Sequence, residues 1–269
     1  MIIWISSYPK SGNTYVRSFL SAYYYSKSGE FDFNLLLNIK QFPSERFANS
    51  KSYTFINAAE NWINNQNIFF DKNKIFFLKT HNSLEPYFGN KFTTPMQTLG
   101  AIYIVRDPRN IVTSFSKFRS LTIEQTADFM ISGTGDGLVW TNNWSVNYHS
   151  WKLFKEYERY LLVKYEDLIS EPDKTFLNIL EFVHKLNKTN FKLDKKKFEN
   201  VIKTTSFDSM QKLEKEKGFT ESWVDEKTGK KIPFFYLGPK NDWKKKLDTK
   251  IAEKLEKAFK SEMEELGYL

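Results

Sequence analysis

Four short apolar runs, at residues 2–5, 75–78, 101–105 and 160–163, each give way at once to turn or helix signals, and this alternation constrains the fold more than any other feature. Helical patterns lie between them. Val16, Phe19, Leu20 and Tyr23 recur at the spacing of one helix face. Pro108 stands where a helix after residue 105 would begin, and Pro172 opens a segment carrying Phe176, Leu177, Leu180 and Val183. Thr122 and Gln125 read as a capping box, and Asp248 or Thr249 caps a last helix bearing Ile251, Leu255, Ala258, Phe259 and Leu266. Strands alternating with helices predict an α/β fold with a central, mainly parallel sheet and helices on both faces. The intervals 28–74 and 106–159 are long and need helical excursions to fill them. A single domain over 1–269 is expected, with a flexible flap around 212–245, where Lys, Gly and Pro cluster without periodicity.

Composition narrows the class. With 269 residues, 41% hydrophobic and 17% aromatic, the chain can bury a large core and is neither disordered nor fibrous. No apolar run approaches the roughly 20 residues of a membrane span, and a secretory signal is not expected, because the first strand starts at Ile2. Cysteine is absent, which excludes disulfides, thiolate metal sites and Cys nucleophiles. A cytoplasmic location is expected. The net charge of +8 gathers partly in Lys195–197 and Lys244–246, which read as solvated lysine faces or a polyanion site; nucleic acid is not the expected partner.

Parallel sheets bind ligands at the carboxyl ends of their strands, and three strand ends carry polar clusters. After the first run comes Lys10-Ser11-Gly12-Asn13-Thr14, which lacks the first glycine and the G-K-[ST] order of a triphosphate loop. It is either a phosphate cradle at a helix N-terminus or an ordinary strand–helix turn. After the second come Lys79 and His81, two apart and so on one side of an extended chain. His81 is a general base or a structural histidine. After the third, Arg106 precedes Ser114 by about two helical turns. The pair is a phosphate clamp, unless Arg106 or Arg109 simply pairs with Asp107. No acidic cluster suggests a metal.

In combination these segments resemble the PAPS-dependent sulfotransferases of the cytosolic type, which use 3′-phosphoadenosine 5′-phosphosulfate (PAPS) as donor and release 3′-phosphoadenosine 5′-phosphate (PAP). YPKSGNTY is similar to the family's 5′-phosphosulfate loop, KTH to its catalytic-histidine strand, and YIVRDPRNIVTSF to its 3′-phosphate segment. LLVKYEDL, TTSFDSM and GPKNDWK follow in family order. The resemblance implies a P-loop-like three-layer sandwich and metal-free sulfonate transfer to a hydroxyl-bearing acceptor of unknown class. It implies that Lys10, Ser11, Gly12, Asn13 and Thr14 hold the phosphosulfate, that Lys79 approaches the sulfonate, and that His81 is the base. Arg106 and Ser114 would hold the 3′-phosphate. Tyr15, Tyr165, Thr205, Ser206, Phe207 and Gly238 would complete the nucleotide site.

The chain departs from the family pattern at several of these positions. Tyr15 replaces a Trp and Asn13 a Thr. Tyr236-Leu237 stands where many members have Arg-Lys, so two cations for the 3′-phosphate are missing, with Lys240 the nearest in sequence to replace them. Asn241 replaces a Gly. Asn147 takes the place of a frequent His, leaving His149 and His184 as structural residues. The dimer pattern survives only as Lys244, Asp248-Thr249 and Glu253, and that dimer is not expected. Acceptor-lining stretches would be 28–74, 82–97, 119–143 and 212–240, with Phe88, Phe92, Phe118, Trp140, Trp223 and Phe234 as aromatic candidates. The alternatives are a Mg²⁺-dependent P-loop nucleotide kinase and a non-catalytic polyanion binder.

Overall fold

A computed structural model describes residues 1–45, 55–71, 74–224, 229 and 231–269. The chain runs β1 (Ile2–Ser7), α1 (Asn13–Tyr25), β2 (Lys40–Gln41), α2 (Phe55–Glu60), α3 (Trp62–Gln66), β3 (Phe76–Thr80) and β4 (Thr98–Val105). There follow α4 (Pro108–Arg119), α5 (Ile123–Ser132), β5 (Thr134–Asp136), β6 (Val139–Asn142), α6 (Trp144–Trp151) and β7 (Tyr160–Lys164). The last part holds α7 (Tyr165–Ser170), α8 (Pro172–Leu186), α9 (Lys195–Thr204), α10 (Phe207–Lys217), β8 (Trp223–Val224) and β9 (Lys231–Ile232). It ends with α11 (Trp243–Lys246), α12 (Thr249–Ala258) and α13 (Lys260–Glu265). These elements form two compact units.

The first unit comprises Met1–Asn13, Ile39–Arg106 and Phe129–Phe191. Its frame is a five-stranded sheet in the order β2-β3-β1-β4-β7, parallel throughout. All four predicted runs are strands of this sheet, each within a few residues of the expected limits. β1 is buried along its whole length, which explains its unbroken apolar character. The indole of Trp4 donates to Thr98 Oγ1 at 2.9 Å and packs on Phe42, Phe92 and Trp151. Phe92, an acceptor-lining candidate from the sequence, is therefore a fully buried core residue. β2, only Lys40 and Gln41, has no apolar pattern and was not anticipated; it pairs with Leu78 and Lys79.

The second unit comprises Thr14–Asn38, Asp107–Asp128 and Lys192–Leu269. The predicted capping box is present, with Gln125 N–H donating to Thr122 Oγ1 and Thr122 N–H to Gln125 Oε1. Asp248 rather than Thr249 caps α12, accepting from Lys250 N–H. The 212–245 stretch holds the end of α10, the antiparallel pair β8–β9, loop and the start of α11. Residues to Lys217 finish α10, and the buried carboxylate of Glu214 accepts from the N–H groups of Phe234 and Phe235 and from Ser222 Oγ. Residues 225–228 and 230 of that flap, and 46–54 and 72–73 of the acceptor stretch, lie outside the described residues.

Candidate active site

Parallel register gathers the polar clusters of the first unit at one edge. β3, β1, β4 and β7 are neighbours, and Ser6 pairs with both Thr80 and Tyr103, while Val105 pairs with Lys164. The segments leaving these strands therefore emerge side by side: Lys10 to Asn13 after β1, His81 after β3, Arg106 after β4 and Tyr165 after β7.

The turn after β1 needs unusual backbone. Lys10 has φ 65° and Gly12 φ 101°, with Ser11 between them outside the left-handed region. A left-handed non-glycine residue costs roughly 1–3 kcal/mol and persists where the surroundings impose it. Residues switching between the two hands turn successive N–H groups into an anion-binding concavity. Gly12 is required on two counts, since a Cβ there would also lie 2.5 Å from Cδ2 of Tyr165. Asn13 Nδ2 donates to the Ile5 carbonyl at 2.9 Å and to Ser7 Oγ at 3.2 Å, tying the helix start to β1. The Asn in place of Thr thus anchors the loop.

His81 is held from two sides. Its Nδ1 lies 2.8 Å from the Ser7 carbonyl oxygen and 3.2 Å from Ser7 Oγ. A carbonyl only accepts, so Nδ1 carries the proton and the basic lone pair is on Nε2. Asn147, fully buried, donates to the carbonyls of His81 (3.0 Å) and Thr141 (2.7 Å) and accepts from the Tyr103 hydroxyl (2.8 Å). The Trp151 indole donates to the Asn82 carbonyl at 2.9 Å. Asn147 is thus a positioning residue that sequence reasoning noticed only as a departure. Lys79, on β3 opposite Ile5, is 6% exposed.

Arg106 donates from Nη1 to the Lys10 carbonyl at 3.1 Å and lies over the Tyr165 ring, 4.0 Å from its centroid. Its Nε has no partner, and neither have Ser11 Oγ and Asn13 Oδ1, all of them buried. A buried donor left unpaired costs about 1–3 kcal/mol. Two orphaned donors, on Ser11 and Arg106, beside a left-handed loop fit an anionic ligand. Burial pushes the Tyr165 phenol up from its ordinary value, against the lowering pull of Arg106. The pairing that would have made Arg106 structural goes instead to Arg109. Asp107 caps α4 through Arg109 N–H and binds the Arg109 guanidinium, and both side chains are buried rather than at the surface.

In the second unit the expected residues divide. Ser114 lies half-buried on α4, and Thr14 and Tyr15 lie on α1. The hydroxyl of Thr205 donates to the Val201 carbonyl and Ser206 caps α10, so both side chains serve helix ends. Phe207 packs flat against Gly238, whose φ is 49° and whose added Cβ would sit 2.2 Å from Phe207 Cε2. Asn241 accepts from Thr113 Oγ1 at 3.0 Å and donates to the Asn110 carbonyl at 2.7 Å, a use that glycine could not supply.

Around the segment after His81, Trp140 donates its N–H to Asn82 Oδ1, and its ring clusters with Tyr87 and Phe55 at 4.9 and 6.1 Å. Among the described residues no group of three or more His, Asp or Glu side chains is placed to hold a metal. Nor is any helix of the described residues long and apolar enough to cross a membrane.

Comparison with known proteins gives a consistent picture. The family model for the sulfotransferase domain matches residues 2–267. Human (Homo sapiens) sulfotransferase 2A1 is 26% identical over 169 residues, covering 61% of this chain and 56% of that protein. The 3-beta-hydroxysteroid sulfotransferase of Cavia porcellus is 25% identical over 170 residues, covering 60% and 55%. The chain thus spans little more than half the length of the curated relatives it matches. Among solved structures, mouse sulfotransferase SULT7A1 complexed with PAP superposes with a TM-score of 0.61 at 16% identity, covering 97% of this chain and 84% of that one. Retinol dehydratase in complex with retinol and PAP gives 0.65 at 14% identity, covering 97% and 81%. These likenesses establish the α/β fold, a parallel sheet flanked by helices. With the family model spanning nearly every residue, the chain belongs to the sulfotransferase domain family.

Proposed function

We propose that this protein transfers the sulfonate group of PAPS to a hydroxyl-bearing acceptor, releasing PAP. The observation that carries the reading is the pair of orphaned buried donors, Ser11 Oγ and Arg106 Nε, beside the left-handed Lys10–Gly12 turn. Such a turn suits one phosphate bearing a sulfonate, with Lys10 supplying charge. PAP in the related structures supports the same ligand class.

In this reading the acceptor oxygen forms a new bond to sulfur while the bond from sulfur to the bridging oxygen breaks. The acceptor proton passes to Nε2 of His81, the nitrogen left basic by the Ser7 contact. Lys10, Lys79 and the loop amides lower the energy of the negative charge that grows on the leaving oxygen, as preorganised donors do. Arg106 and Tyr165 hold the nucleotide. The family resemblance extends its contacts to Thr14, Tyr15, Ser114, Thr205, Ser206, Phe207 and Gly238. The proposal keeps a cytoplasmic location. The test is incubation with PAPS and a panel of phenols, alcohols, steroids and sugars, with mass detection of sulfated product. Sulfation of at least one compound, dependent on active protein, is expected; PAPS left intact with every acceptor class would contradict the reading.

A further inference from the structure

Tyr236 and Leu237 stand where the family resemblance implies two cations in many members, and the second unit brings another cation to that place. Lys117 Nζ lies 3.2 Å from the centroid of the Tyr236 ring. An aromatic face attracts an ammonium without cancelling its charge, whereas a carboxylate partner would cancel it. Among the described residues Lys117 has no carboxylate partner. Lys117 is also one helical turn beyond Ser114 on α4. Residues three apart share a helix face, with Cβ atoms about 5–6 Å apart. Two residues beyond Tyr236, Gly238 is pressed on the ring of Phe207, so the loop that carries Tyr236 is tied down. Lys240, the substitute suggested by sequence, is exposed.

We propose that Lys117, presented by the ring of Tyr236, contacts the 3′-phosphate beside Ser114 and takes over from the missing basic pair. The inference rests on the PAPS reading above. It assigns Tyr236 a purpose as well: a platform for a cation borne on α4.

The test compares PAP with adenosine 5′-monophosphate, which lacks the 3′-phosphate, by calorimetry on the wild type, Lys117→Met, Lys117→Arg and Tyr236→Leu. Lys117→Met should weaken PAP on the order of ten- to a hundredfold, as loss of a charge-assisted contact does. Its affinity for adenosine 5′-monophosphate should stay within about twofold of the wild type, and Lys117→Arg should restore PAP binding. Tyr236→Leu should weaken PAP by roughly two- to fivefold, the range of an exposed cation–π contact. If Lys117→Met does not fold, Lys117→Gln takes its place. Unchanged PAP affinity, or equal loss of both nucleotides, would overturn the role of Lys117 while leaving the PAPS reading intact. A wild type that binds no PAP would overturn both.

Discussion

The Nδ1 of His81 lies 2.8 Å from the carbonyl oxygen of Ser7, the last residue of β1. One contact sets both the tautomer and the orientation of the ring, and it comes from the strand that feeds the Lys10–Gly12 turn. Replacing His81 by Ala should cut transfer by about 10²–10⁴-fold, the usual contribution of a general base. PAP affinity should change little. Single-turnover sulfation and calorimetry on the same preparation separate the two; a variant as active as the wild type would reject His81 as base.

Asn147 reaches the chemistry only through the backbone it holds. In Asn147→Ala the carbonyls of His81 and Thr141 and the hydroxyl of Tyr103 each lose one hydrogen bond. A hydrogen bond lost in this way costs about 0.5–1.5 kcal/mol, so the thermal midpoint should fall. A positioning role further requires a lower kcat at unchanged acceptor KM; a drop in stability with kcat intact would make Asn147 purely structural.

Two arginines three residues apart should respond differently. Arg109 binds Asp107 and Glu256, donates to the Tyr268 carbonyl and stacks on Trp243. Removing one partner of such a buried cluster costs about 3–5 kcal/mol, so Arg109→Ala should lose much of its stability in urea titration. Arg106 makes one hydrogen bond, to the Lys10 carbonyl, lies over Tyr165 and keeps an orphaned Nε. Arg106→Ala should lower the urea midpoint less than Arg109→Ala and weaken PAP markedly.

Gly12 and Tyr165 meet so closely that any side chain at position 12 displaces the ring. Gly12→Ala adds left-handed strain and a clash, with Cβ only 2.5 Å from Tyr165 Cδ2, together worth about 1–3 kcal/mol. The expected result is a lower thermal midpoint and weak PAP binding. Tyr165→Ala in the same chain should recover part of the midpoint, because it removes the clash but not the strain.

β1, β3 and β4 were legible because they are largely buried on both faces and read as apolar runs, and β7, half-buried at its edge, because it too is apolar. β2 was not, since Lys40 and Gln41 pair through backbone alone. Ser11, Gly12 and Arg106 were legible as polar residues at strand ends, and parallel register brings those ends together. The competition for Asp107 was not: a guanidinium at position 106 or 109 fits the sequence equally, and only packing against Trp243 and Glu256 assigns it to Arg109. Asn147 and Lys117 were hidden for a similar reason. Their partners, His81 and Tyr236, lie 66 and 119 residues away in sequence (147 − 81 and 236 − 117), beyond any local pattern.

The most direct test of the central claim is a calorimetric titration of the wild-type protein with PAP, without added metal, beside ATP with Mg²⁺. The account predicts saturable PAP binding in the micromolar range or tighter and no comparable binding of Mg²⁺-ATP. No PAP heat at several hundred micromolar, or metal-dependent ATP binding in its place, would contradict it.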